Sequence, residues 1–228
     1  MQSMGGIWAA LVPEQTKTVD RFLPEILAEL QRELTSPQWR VRESCCAALI
    51  ELLKGRSLDT ALSTLALLWR DLFRVMDDIK ESVRLVAGKA AGALSRVSIK
   101  MCDTEAAGRT AGDAALQAVL PPLLEAGLPS TVAEVRAVCL ATLMKLTKSA
   151  GPVLAPHLHC LVPALLEATG EMEGQQLNYI STRLGVDQAV QEKLDSARMA
   201  ASKSSPTMEC VNTVLQVRRQ KNHATVSS

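Results

Sequence analysis

The dipeptide Val-Arg stands at 41/42, 83/84 and 135/136, and behind each valine the apolar side chains fall in one register. Counting from the valine, the offsets are +3, +4, +7, +8 and +11, the spacing of a single helical face. The first set is Ser44, Cys45, Ala48, Leu49 and Leu52; the second is Val86, Ala87, Ala90, Ala91 and Leu94; the third is Val138, Cys139, Thr142, Leu143 and Leu146. Only Ser44 and Thr142 depart from apolar character. The copies are 42 and 52 residues apart, and a period near 40 residues is the mark of helical hairpins that bury their faces by stacking on one another. The longer interval contains a polar, glycine-bearing stretch from Asp103 to Asp113, which predicts a loop insertion of about ten residues.

Each of these helices carries a start signal, a side-chain oxygen able to accept from the free N–H groups of a first turn. Ser36 precedes Pro37, while Asp78 with Glu81 and Thr131 with Glu134 have capping-box spacing, so Ser36, Asp78 and Thr131 are the expected caps. Gly55, and Gly151 followed by Pro152, are the expected stops. A partner helix precedes each copy, with Phe22, Leu23, Ile26, Leu27 and Leu30 in the first and Leu62, Leu65, Trp69, Leu72 and Phe73 in the second. The third partner carries Leu116, Val119, Leu120, Leu123 and Leu124, and a fourth carries Leu158, Leu161, Val162, Leu165 and Leu166. Prolines recur in or near their first turns, at Pro24, Pro121 and Pro163.

The predicted architecture is therefore all-α, an α-solenoid of HEAT-type helical hairpins. Residues 1–19 form a lead-in, and 20–170 hold the repeats, at about 20–55, 58–101, 114–151 and a half-repeat at 156–170. Residues 171–205 are expected to form an atypical helical repeat, and 206–228 a disordered or unrelated tail whose last dozen residues, Val217 to Ser228, hold Arg218, Arg219 and Lys221 and no acid. The structural positions are Val41, Val83 and Val135 as buried residues, and Arg42, Arg84 and Arg136 as forks that can reach a carboxylate or carbonyl of the next hairpin. Gly88 and Gly92, four apart on an alanine-rich helix, imply a close helix contact.

Composition agrees with a helical core and removes several function classes. Apolar residues are 47% of the chain but aromatics only 3%, so Leu, Ala and Val must fill the interior. With 25 basic and 24 acidic residues the formal charge is +1, too balanced to attract nucleic acid generally. Six cysteines, Cys45, Cys46, Cys102, Cys139, Cys160 and Cys210, show no paired extracellular spacing and point to a reducing compartment. No apolar run is long enough to insert into a membrane. His157, His159 and Cys160 form the one cluster that suggests chemistry, yet no second ligand pair accompanies it, and helix-end packing is the expected role. Phosphate-binding and nucleophile-elbow motifs do not occur, so neither a cofactor nor an enzymatic activity is expected.

Residues 76–84 (MDDIKESVR), 173–179 (EGQQLNY) and 194–198 (LDSAR) resemble the HEAT-repeat proteasome adaptor and scaffold family. The resemblance runs from about Leu34 to Glu209, and Val217 to Ser228 looks unrelated to it. It implies a non-enzymatic scaffold that binds proteasome subunits, with roles in assembly, quality control, localisation and ER-associated degradation, in the cytoplasm and also the nucleus. The chain is then expected to be a fragment from the later part of a longer solenoid. A HEAT scaffold of another system, nuclear transport or phosphatase assembly, is the alternative. No short motif fixes which surface binds the partner.

Overall fold

A computed structural model describes residues 15–58 and 61–168, with Ser196, Met208, Glu209, 211–213 and Leu215 farther along. The elements are α1 (Gln15–Arg21), α2 (Leu23–Glu33), α3 (Trp39–Leu53), α4 (Leu62–Val75), α5 (Glu81–Cys102), α6 (Thr104–Ala107), α7 (Arg109–Pro122), α8 (Ala133–Ser149) and α9 (158–168). A π-turn, Leu123–Gly127, prolongs α7, and a 3-10 stretch, Gly151–His157, leads into α9. Among the described residues no strand occurs. The expected helical repeat at 171–205 and tail at 206–228 lie almost wholly outside the described residues.

Two layers result, because like helices stack on like. One contains α2, α4 and α7, with α4 packed on both α2 and α7; the other contains α3, α5 and α8, with α5 packed on both α3 and α8. Hairpins are closed by α2 on α3 and α4 on α5. This is the stacking of a solenoid, in which each unit buries its faces against its neighbours. The twenty-two-residue α5 is its centre, and Ala87, Ala90 and Ala91, all fully buried, leave room for two neighbouring helices to approach. Larger side chains fill the space between layers: Trp69 lies buried against Phe73 at 5.3 Å between ring centroids and donates Nε1–H to Ser98 Oγ at 3.2 Å.

Within the register, the +4, +8 and +11 positions are buried in all three copies, and Val83 and Val135 are fully buried while Val41 is half-buried. At +7, Ala90 and Thr142 are buried but Ala48 is exposed, as is Ser44 at +3. Thr142 keeps a hydroxyl in the core by donating to Val138 O at 2.7 Å and pairing with Ser95 Oγ of α5 at 2.8 Å, so the polar exception is a cross-helix link. Gly55 follows the end of α3 at φ +70° and Gly151 the end of α8 at φ +53°, conformations that cost a residue with a Cβ.

Several expectations need correction. The segment from Asp103 to Asp113 is not a loop: Asp103 Oδ1 accepts from Glu105 N and Ala106 N, starting α6, and α7 begins at Arg109. Its Gly112 reflects packing, since a Cβ there would stand 3.2 Å from Thr104 Cγ2 and 3.4 Å from the Cys102 carbonyl. Pro121 lies at the end of α7, beside Pro122, and not in a first turn. Gly88 and Gly92 make no close helix contact, because a Cβ would meet nothing within 4 Å at Gly88 and only the Arg96 guanidinium at Gly92. The close approach is at Gly127, where a Cβ would overlap Cys139 Sγ and stand 3.1 Å from the Phe73 ring.

The helix starts are corrected too. Gln38, Lys80 and Val132 cap α3, α5 and α8, none through its side chain. Ser36 and Asp78 instead sit two residues earlier, in turns where Ser36 Oγ accepts from Gln38 N at 3.4 Å and Asp78 Oδ1 from Lys80 N at 2.9 Å. Thr131 has no such part; Ser130 does, its Oγ accepting from Val132 N at 3.2 Å.

Candidate functional site

The register arginines act first on their own turns. Arg42 Nη1 donates to Ser36 O at 2.7 Å, Arg84 Nη1 to Asp78 O at 2.8 Å and Arg136 Nη1 to Ser130 O at 2.5 Å. In every copy the guanidinium thus clasps the carbonyl six residues back, whose own side chain holds the same turn. A bond between hairpins is added where that residue is acidic. Arg42 Nε donates to Asp78 Oδ2 at 2.6 Å, and with Asp78 only 6% exposed the pair is largely withdrawn from water. The hydrogen bond from the Arg42 guanidinium holds the Asp78 carboxyl below its ordinary value, and the same bond to Asp78 raises that of Arg42. Ser130 holds the equivalent place in the next copy, and Arg84 forms no ion pair among the described residues; among these residues the expected reach to the next hairpin is realised by Arg42.

The buried thiols of the described interior are poor nucleophiles. Burial pushes the thiols of Cys46 and Cys102 up to about 12 and raises those of Cys45 and Cys139, so they remain neutral packing groups. Among the described residues no cluster of His, Cys, Asp and Glu is arranged to hold a metal.

His157, His159 and Cys160 all line a groove of about 680 Å³ between the α7 side and α9. Its apolar wall comes from Leu120, Pro121, Leu124 and Leu128 on one side and Ala164 and Ala168 on the other. Local sequence opens it. Pro121 and Pro122 have no N–H to give, and the backbone after them widens into the π-turn, which carries Leu124 and Glu125 to the rim. The 3-10 stretch then sets α9 off from α8, fastened by His157 Nε2 to Asp113 Oδ1 at 3.0 Å, with Asp113 Oδ2 also accepting from Gln117 at 2.9 Å. His159 Nδ1 bonds Pro156 O at 2.7 Å and Cys160 donates to His157 O at 3.0 Å, so the cluster finishes a helix start while lining the groove.

The rim has a sign. Among the described residues Glu125 and Glu167 line the groove and no lysine or arginine does. Glu125 meets Arg70 of α4 at 3.0 Å across an exposed surface; Glu167 pairs with no cation among the described residues. Reading the sequence did not single out Gln117, Glu125, Ala164 or Glu167, and the Pro121-Pro122 pair was the one local signal that the helix face changes here.

Comparison with known proteins places this geometry in context. The family described as "Proteasome adapter and scaffold protein ECM29, HEAT-repeat domain" matches residues 154–228. Over 94% of the chain the sequence is 51% identical to the human "Proteasome adapter and scaffold protein ECM29". It is 38% identical over 92% of the chain to the "Proteasome-associated protein ECM29 homolog" of Drosophila melanogaster, and 29% identical over 94% to the "Proteasome component ECM29" of Saccharomyces cerevisiae. The chain spans 11%, 12% and 12% of the lengths of these relatives. The similarity therefore covers nearly the whole chain, and Val217 to Ser228, expected to be unrelated, falls inside the matched HEAT-repeat domain.

Proposed function

We propose that this chain is a segment of a non-enzymatic scaffold that associates with the proteasome, with no cofactor and no turnover. The observation that carries the proposal is sequence similarity over nearly the full chain to proteins named for that role, on a fold of stacked hairpins. Such a stack offers a long surface on which a large partner is held by many individually weak contacts. The neutral, buried thiols and the His157–Asp113 bond serve packing and helix joining, in keeping with a binding role. Proteasome assembly, quality control and ER-associated degradation are the processes in which such a scaffold would act. No helix among the described residues is long and apolar enough to cross a membrane. The cytoplasm and the nucleus are the proposed locations.

A tagged full-length product containing this segment, purified gently, is expected to bring down proteasome subunits, less so as salt rises if rim charges contribute. Recovery of transport receptors or phosphatase subunits, with proteasome at background, would replace the proposal with a HEAT scaffold of another system.

A further inference from the structure

We infer that the groove between α7 and α9 is a docking site for a segment of a partner protein that presents an apolar side chain flanked by lysine or arginine. The inference names the partner chemistry of the proposed scaffold and rests on its being a scaffold, though not on the identity of what it binds.

The lining of the groove carries it. About 680 Å³ lies over an apolar floor contributed by Leu120, Pro121, Leu124 and Leu128 on one side and Ala164 and Ala168 on the other, room for two or three side chains of a visiting segment. The floor gives area and the rim gives selectivity. Glu125 and Glu167 carry the only formal charges among the described lining residues, and both are negative. Glu125 already accepts an arginine at 3.0 Å from the α4 side, which shows that a guanidinium fits its position, and Glu167 on the opposite bank has no cation among the described residues. An acidic visitor would be repelled by these carboxylates and an uncharged one would leave Glu167 unanswered among the described residues as the apolar floor is covered, whereas a basic one answers it.

The test is a selection from a combinatorial library of twelve-residue peptides displayed on phage, run against the 228-residue chain. The chain with Ala164→Trp, which fills the floor, serves as counter-target, and circular dichroism confirms that it keeps its helix content. The expected result is a consensus with one or two large apolar residues beside lysine or arginine. A synthetic peptide of that consensus should bind by fluorescence anisotropy. Its affinity should fall about tenfold in Glu167→Lys, fall further in Glu125→Lys/Glu167→Lys, and decrease as salt rises. Peptides that are acidic or uncharged, or that bind the Ala164→Trp chain equally well, would overturn the inference, as would a selection that enriches nothing. Self-association of the chain that Ala164→Trp abolishes would give the groove to a second copy instead. Tighter peptide binding after removal of residues 217–228 would assign it to the chain's own basic end. Co-purification of proteasome decides the scaffold proposal separately, since the groove variants leave the rest of the stacked surface untouched.

Discussion

The first two hairpins are joined at the register arginine by a largely buried ion pair, whereas the second and third are joined by a part-buried hydroxyl pair and by the exposed Arg70–Glu125 bridge. Between α3 and α5 the Arg42–Asp78 bond at 2.6 Å spans the hairpins; between α5 and α8 the cross-link is Ser95 to Thr142 at 2.8 Å, and Arg84 turns back on its own carbonyls. The arginine is therefore a turn clamp in every copy and an inter-hairpin strut only where the residue six before the next arginine is an acid. Apolar burial is what the two junctions share, and the polar links distinguish them.

Breaking the shared part should have the largest effect. Leu94 of α5 and Leu143 of α8 are both fully buried, so each change to alanine should cost about 2–5 kcal/mol through lost transfer free energy and the cavity left behind. Lys148→Ala, at an exposed position, should stay within roughly 0.5 kcal/mol. Thermal or urea melts decide this, and three equal, small shifts would mean that the register does not mark a core face. Next comes Gly127→Ala, for which roughly 1–3 kcal/mol of overpacking is expected because the new Cβ overlaps Cys139 Sγ and presses on Phe73. Cys139→Ala in the same chain should recover part of that loss; no recovery would mean that the backbone of the π-turn, not the thiol, limits the fit.

A smaller effect separates the junctions. Asp78→Asn keeps an oxygen for Lys80 N but removes the charge that Arg42 meets, and should cost about 1 kcal/mol at neutral pH. Because the folded-state pKa of Asp78 is lowered, its stabilisation is present above its ordinary value near 3.8 and is lost as pH falls through the lowered one. The stability difference between the parent chain and the Asp78→Asn variant should accordingly hold from about pH 7 to about 5 and shrink below about pH 4. Ser95→Ala, at the second junction, should show no such pH dependence, since neither hydroxyl of that link titrates.

Much of this was legible in the residues because the repeat imposes one period on side chains that must be buried. Cys45, Ala87 and Cys139 share an offset and are all buried, and Gly55 and Gly151 take the positive φ that ends helices. What periodicity does not encode was missed. Asp103 starts α6 by accepting N–H groups two and three residues on, so a stretch with little apolar content still becomes helical. Thr131 and Ser130 are equally plausible caps by composition, and only the backbone path selects Ser130. Gly88 and Gly92 have the spacing of a helix contact but no helix against them there, whereas Gly127, which no repeat position marks, is the crowded one. The groove was hidden for a related reason: its lining comes from α7, the π-turn, the 3-10 stretch and α9 together, a combination written in no single motif.

The finest distinction between the junctions can be tested by building the missing strut. Ser130 occupies the place that Asp78 holds in the preceding hairpin: its side-chain oxygen accepts from the N–H two residues on and its carbonyl receives the arginine six residues on. Ser130→Asp retains both roles, because an aspartate in this turn also accepts the Val132 N–H, and it sets a carboxylate where Arg84 can meet it as Arg42 meets Asp78. Arg84 is exposed, so the gain should be modest, up to about 1 kcal/mol, and should fall as salt is raised. The control is the double-mutant cycle with Arg84→Gln, which isolates the new pair from any effect on the turn itself. A coupling energy that vanishes in salt would show that the register arginine is a strut awaiting an acid. Stabilisation that survives Arg84→Gln would show instead that the introduced carboxylate acts only on its own turn, and that the Arg42–Asp78 bond depends on features peculiar to the first junction.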